Sequence, residues 1–237
     1  MGKKKIDKKL PFVRELTKNY VGIDPVYEPI PVRPVVHYMM GGIDTNIDCS
    51  TNLPGLFAAG ECACVSINGA NRLGSNSLTE ILVFGARAGN AAADFANEHS
   101  EIDIKALEKQ RDEEFKRITL NFLNKDGGSE RISTIRKEMH QVMEECVGIF
   151  RSESGLKEAS NKIEELKDRF SSILIEDKSL NFNTELTSAL ELENMIDVAE
   201  AIIFSALSRR ESRGSHQRTD FKEDRKSTRL NSSHSEI

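Results

Sequence analysis

Apolar positions recur at three- and four-residue steps through the second half of this chain. Ile132, Ile135, Met139, Val142, Met143 and Cys146 form one such set. Leu156, Ala159, Ile163, Leu166, Phe170 and Ile173 form a second, and Leu186, Ala189, Leu190, Ile196, Ala199, Ile203 and Ala206 a third. That spacing puts each set on one face of a helix, with charged residues opposite. Asp126-Gly-Gly128 and Ser152-Glu-Ser-Gly155 interrupt the rhythm, so the charged region 101–210 predicts amphipathic helices packed as a three-helix bundle. Residues 29–98 follow another pattern, poor in charge and rich in Gly, Ala, Val and Pro. They predict buried strands, one of them in Gly55-Leu-Phe-Ala-Ala-Gly-Glu61, and one buried helix from Leu78 to Phe95. That helix carries Gly85, Gly89 and Ala93 at four-residue steps, a smooth face on which a sheet or a flat ring could lie close. Residues 1–28 open basic, with Lys3, Lys4, Lys5, Lys8 and Lys9, and pass into an amphipathic stretch carrying Leu10, Phe12, Val13 and Leu16.

Composition narrows the classes. The chain has 237 residues, enough for one large or two small domains with a real core. Its net charge of −5 gives no basic field for nucleic acid. No run approaches the roughly 20 apolar residues of a spanning helix, and no signal-peptide pattern opens the sequence. The four cysteines, Cys49, Cys62, Cys64 and Cys146, lack zinc-ligand spacing and the density of a disulfide framework, as suits a reducing compartment. Cys62 and Cys64 read as two small buried thiols at a strand end.

Chemistry concentrates between residues 31 and 78. Asn68-Gly-Ala-Asn-Arg-Leu-Gly-Ser-Asn-Ser-Leu78 packs an arginine, glycines, serines and asparagines into the run before a helix start. Flexible backbone, N–H groups, one fixed cation and a helix N-terminus together make an anion cradle. The Gly60-Glu61 pair offers a close backbone approach followed by a carboxylate that can accept from sugar hydroxyls. Upstream, Pro31-Val-Arg-Pro-Val-Val-His37-Tyr-Met-Met-Gly-Gly42 is an extended segment ending in a histidine and a double glycine. Each signal alone is weak: a lone histidine is more often a structural hydrogen-bonder, and a strand ending in Gly-Glu is common.

Together these motifs resemble a known family. The ordered run HYMMGGI…GLFAAGE…NGANRLGSNSLTEILVFGARAG is similar to the flavoprotein subunit of succinate dehydrogenase and fumarate reductase. LPFVRELTKNYVGIDP, EPIPVRP and the late Arg210-Glu-Ser-Arg-Gly-Ser-His-Gln-Arg218 extend the resemblance from about Lys3 to about Asp224. It implies an α/β fold: the end of a capping domain over 1–28 and the C-terminal part of a Rossmann-like FAD-binding domain over 29–100. A truncated helical C-terminal domain over 101–224 follows. It also implies that His37 and Arg72 bind a dicarboxylate, succinate or fumarate, and that Glu61, Ser77 and Leu78 bind FAD. The reaction implied is hydride transfer between flavin and dicarboxylate. In the intact complex the partners would be an iron–sulfur subunit and membrane anchors, placing the protein peripherally on the cytoplasmic inner face of the membrane.

The departures matter equally. No G-x-G-x-x-G follows a first strand, and the family's flavin-linking histidine, proton-donating arginine and remaining substrate ligands have no counterpart here. No residue of this chain is therefore assigned the proton transfer, and none a metal. The expectation is an internal fragment, inactive alone. Arg225-Lys-Ser-Thr-Arg-Leu-Asn-Ser-Ser-His-Ser-Glu-Ile237 breaks from the family pattern, is expected to be a non-native tail, and gives His234 no role. Two other readings are an L-aspartate oxidase-like flavoenzyme and a non-enzymatic helical interaction protein. Leu73-Gly74 followed by Ser75-Asn76-Ser77 resembles the succinate and fumarate enzymes more closely than the first. An anion cradle has no use in the second.

Overall fold

The computed structural model describes residues 2–99 and 103–221; residues 222–237, and with them the expected non-native tail, lie outside it. The chain divides into two compact units at Val35/Val36.

The first unit is helical. Helix α1 (Lys3–Lys9) buries Ile6, and α2 (Pro11–Leu16) starts on a proline, whose missing N–H costs nothing at that position. A π-helical turn, Thr17–Val21, ends at Gly22 with φ of 74°. The Arg14 fork then ties the unit together. It donates from Nε and Nη2 to the two oxygens of Asp24 at 2.9 and 2.7 Å, and from Nη1 to Asp7 at 2.6 Å. Those hydrogen bonds hold the Asp24 carboxyl down at about 2.

The second unit starts with the segment that carries the candidate chemistry. Strand β1 (Ile43–Asp44) pairs in parallel with β2 (Ala63–Cys64), Ile43 opposite Ala63. This corrects the expectation of several buried strands. The stretch 55–61 is no strand; it contributes one antiparallel bridge, Phe57 to Ser50. A two-residue ladder cannot bury the faces of a sheet, and Val36, Ile43, Leu53 and Leu56 are exposed. The thiols are corrected as well: Cys62 is exposed and Cys64 half-buried, whereas Cys49 is buried.

Helix α3 (Asn76–Glu98) forms where a helix was expected, but it is not the buried helix anticipated: Glu80 and Phe84 are buried, whereas Leu78, Ile81, Leu82 and Val83 are exposed. The Cys49 thiol donates to the Phe84 carbonyl at 3.3 Å, and Arg87 reaches the Ile47 carbonyl and Asp48 at 2.8 and 2.7 Å. Phe95 packs edge-on to Phe57. The Gly85 and Gly89 face is open: a Cβ at either position would meet nothing within 4 Å. The close packing expected of it is not formed among the described residues.

The remainder is a helical bundle with the main core. Helix α4 (Ile104–Ile118) and a π-helical turn, Thr119–Leu123, lead into α5 (Ile132–Val147), α6 (Glu153–Phe170) and α7 (Thr184–Ser208). The three predicted stripes meet there. Ile135, Leu156, Ala159, Leu166, Ala189 and Leu192 are fully buried, each large aliphatic contributing about 1.5–3 kcal/mol. Ser152 and Asn183 cap α6 and α7 by accepting from the Gly155 and Leu186 N–H groups at 3.1 and 2.7 Å. Arg169 of α6 binds Glu130, Glu138 and Glu165, pinning α5 to α6. A second parallel pair, β3 (Phe150–Arg151) with β4 (Gln217–Arg218), returns the end of the described chain to the top of α6.

Candidate functional site

The cradle is built by backbone geometry at the start of α3. Gly69 has φ of 57° and Ser75 φ of 68°, left-handed conformations that fold the loop back on itself. For Ser75 this costs about 1–2 kcal/mol. The Asn76 N–H donates to the Leu73 carbonyl at 3.2 Å and the Leu78 N–H to the Ser75 carbonyl at 3.1 Å. Ser75 occupies the N-cap, yet its side chain makes no capping bond. The positive end of a 23-residue helix is therefore left without a side-chain acceptor, beside half-buried Ser77 and exposed Leu78.

Arg72 is held by an aromatic face. Its guanidinium lies 4.3 Å from the centroid of the Tyr38 ring, and its Nη1 donates to the Leu73 carbonyl at 3.2 Å. Its Nε is buried without a hydrogen-bond partner, and among the described residues no carboxylate pairs with it. A guanidinium stacked on a ring keeps its N–H edges available for a planar acceptor.

Three segments converge beneath it. The Tyr38 hydroxyl donates to Glu80 Oε2 at 3.1 Å, and the Asn68 side-chain amide donates to the same oxygen at 2.8 Å. Glu80 sits on the first turns of α3 and is 3% exposed. Burial, followed by the hydrogen bond to Glu80, pushes the Tyr38 phenol above its ordinary range. The next residue, Met39, donates its N–H to Glu61 Oε1 at 3.2 Å, so the segment after His37 runs between Glu61 and the Arg72 shelf. Gly42, with φ of 118°, lets the backbone close on Cys62: a Cβ there would lie 2.8 Å from the Cys62 carbonyl carbon. His37 itself is exposed and makes no hydrogen bond among the described residues. The two residues after it, Tyr38 and Met39, rather than its ring, are tied to the rest of the site.

The late motif reaches the same loop from the far end of the unit. The Ser215 N–H and hydroxyl both donate to the Ala70 carbonyl, at 3.0 and 2.9 Å. Gly214, with φ of 56°, packs so closely on Ala70 that a Cβ would lie 2.6 Å from its carbonyl carbon. A clasp holds this turn. Arg151 donates to the Val147 and Gly148 carbonyls at the end of α5 and to His216 Nδ1, the last at 2.9 Å. His216 Nε2 faces the Arg209 carbonyl at 3.0 Å. These partners assign the neutral tautomer, proton on Nε2, and burial lowers the His216 pKa accordingly. Arg218, its side chain fully buried, forks onto Asp220 with two 2.8 Å bonds and also donates to the Ala206 carbonyl. Motif reading assigned no role to Ser215, Tyr38 or Glu80. The one visible hint was the glycine inside Arg213-Gly-Ser215.

Comparison with known proteins identifies the family to which the chain belongs. Residues 1–78 match the FAD binding domain model, and residues 136–235 match that of the fumarate reductase flavoprotein C-terminal region. The second match continues through most of the stretch expected to be non-native. The fumarate reductase flavoprotein subunit of Mycobacterium tuberculosis (strain H37Rv) is 55% identical over 224 residues, covering 93% of this chain and 38% of that protein. The Escherichia coli K12 fumarate reductase flavoprotein subunit is 47% identical over 220 residues, 93% and 36% respectively. The Coxiella burnetii succinate dehydrogenase flavoprotein subunit is 39% identical over 238 residues, 94% and 39%. Among solved structures, the E. coli quinol fumarate reductase FrdA E245Q mutant superposes with a TM-score of 0.90 at 45% identity, over 96% of this chain and 39% of that one. Mycobacterium smegmatis Sdh1 in complex with UQ1 superposes at 0.80 and 34%, over 94% and 37%. The chain thus spans less than two fifths of the length of these relatives. Among the described residues no helix is long and apolar enough to cross a membrane.

Proposed function

We propose that this chain, a segment of the succinate dehydrogenase and fumarate reductase flavoprotein family, supplies one side of a dicarboxylate site set against FAD. The observation that carries the proposal is Arg72: a guanidinium held over the face of Tyr38, unpaired with any described carboxylate, next to a helix start without a side-chain cap. A fork of donors held that way suits one carboxylate of succinate or fumarate. His37, exposed beside Tyr38, donates to the substrate from the neighbouring segment.

The residues present fit a flavin. The N-terminus of α3 accepts negative charge, with Ser77 and Leu78 at its first turn. Glu61 is exposed and uses one oxygen on Met39, which leaves the other for a cofactor hydroxyl. When bound, FAD supplies the hydride donor and acceptor. Arg72 and His37 bind the dicarboxylate, fix its orientation and draw charge toward one carboxylate, which makes the adjacent double bond electrophilic. We assign the proton transfer to no residue of this chain, because the resemblance gives that step to an arginine that has no counterpart here. An iron–sulfur subunit, membrane anchors and a peripheral position on the inner membrane face complete the reading; they rest on the likeness to complex subunits.

Arg72→Ala in the flavin-loaded holoenzyme tests it. The expected fall in kcat/KM for fumarate is about 10²–10³-fold, with flavin content unchanged. Turnover within threefold of the wild type would overturn the reading, and is what a helical scaffold would give.

A further inference from the structure

Glu80 is the most buried acidic residue near the candidate site, and neither flavin nor dicarboxylate binding, as described above, uses it. Its Oε2 is an atom at which three site segments meet. Tyr38 arrives from the histidine segment, 42 residues away, and Asn68 from the start of the arginine loop, 12 residues away. Glu80 itself stands one turn beyond the uncapped start of α3. The Tyr38 hydroxyl bond anchors the far end of the ring, and that ring is the surface over which the Arg72 guanidinium lies. The remaining bond of that guanidinium is local, to the carbonyl of the next residue, Leu73, and does not set its direction relative to His37.

We propose that Glu80 is a positioning residue for the dicarboxylate clamp: its buried carboxyl anchors Tyr38 and Asn68, and through the Tyr38 ring it aims Arg72. This rests on the reading of Arg72 as a substrate ligand. An arginine without its shelf spreads over several rotamers, so only a fraction of molecules presents the fork correctly, and apparent affinity falls by that fraction. The acceptor oxygen matters here rather than the acidity, because both partners are donors.

The test measures fumarate reduction by the flavin-loaded holoenzyme in four single variants and one double variant. Glu80→Ala is expected to raise KM for fumarate about tenfold, with flavin content retained. Glu80→Gln keeps an acceptor oxygen and is expected within threefold of the wild type. Tyr38→Leu removes the shelf directly; it should reproduce the Glu80→Ala effect and serves if that variant does not fold. Arg72→Ala with Glu80→Ala should be no worse than Arg72→Ala alone. An unchanged KM in both Glu80→Ala and Tyr38→Leu, while Arg72→Ala is impaired, overturns this inference alone. Indifference to Arg72→Ala overturns the underlying reading instead. A kcat loss shared equally by Glu80→Gln and Glu80→Ala would mean Glu80 acts in the chemistry, which also overturns a positioning role.

Discussion

Gly214→Ala puts the link between the late motif and the arginine loop to a direct test. Two penalties act together at this position. With φ of 56° the backbone is left-handed, which costs about 1–2 kcal/mol for an alanine. The added Cβ would also lie 2.6 Å from the Ala70 carbonyl carbon and 2.7 Å from the Ala70 Cβ, whereas ordinary contact begins at 3.4 Å. The turn and Ala70 must therefore separate by about 0.8 Å. That stretches the 3.0 and 2.9 Å bonds from Ser215 beyond hydrogen-bonding range, a further loss of about 0.5–1.5 kcal/mol each. The local cost is about 2–5 kcal/mol. Neither residue belongs to the bundle core, so the loss appears as local opening rather than global unfolding. The assay is amide hydrogen exchange: the Ser215 N–H should exchange about 30- to 4,000-fold faster, while the α5–α7 core amides keep their protection. Ser215→Ala, which removes only the hydroxyl bond, should give about tenfold or less. Unchanged Ser215 exchange, or equal acceleration throughout the bundle, would refute the reasoning.

Three further outcomes follow from the geometry. Asn183→Ala removes the α7 cap and leaves the Asp177 and Ser179 carbonyls without the amide that now donates to them; a loss of about 2–3 kcal/mol is expected in urea titration. Glu138 is held down to about 2, from 4.5, by hydrogen bonds from Arg169 and then Lys162. A depressed folded pKa means the unfolded chain binds more protons in that window. Stability from this carboxylate is thus complete above pH 4.5 and lost as the pH falls toward 2, and Glu138→Gln should flatten that part of an acid titration. Finally, the 237-residue chain purified alone should be colourless; a stoichiometric flavin absorption band would show that this segment holds the cofactor unaided.

The parts of the fold legible in the sequence are those set by local rules. The stripes through Ile135, Leu156 and Ala189 recur at helical spacing, the break at Ser152–Gly155 falls at a helix start, and all three helices form. The buried strands failed because an apolar run announces that a segment needs covering, not that its cover is present; Val36 and Leu56 stay exposed beside a two-residue ladder. Arg72 and Glu61 could be marked as candidates because the chemistry of a loop and of a Gly-Glu pair is written in consecutive residues, whereas His37, Ser77 and Leu78 were marked by the resemblance. The Tyr38–Glu80–Asn68 junction could not, since nothing local shows that two donors from distant segments share one oxygen. The Ala70–Ser215 bond spans 145 residues and was equally invisible.

That long span also sets an order of events in time. During synthesis at about 5–20 residues per second, Ser215 emerges roughly 7–30 s after Ala70. Until then the arginine loop lacks its outer strut, while α3 behind it can already coil. The two hydrogen bonds from Ser215 to the Ala70 carbonyl are therefore the last of this loop's described ties to form, after the whole of the bundle has been made.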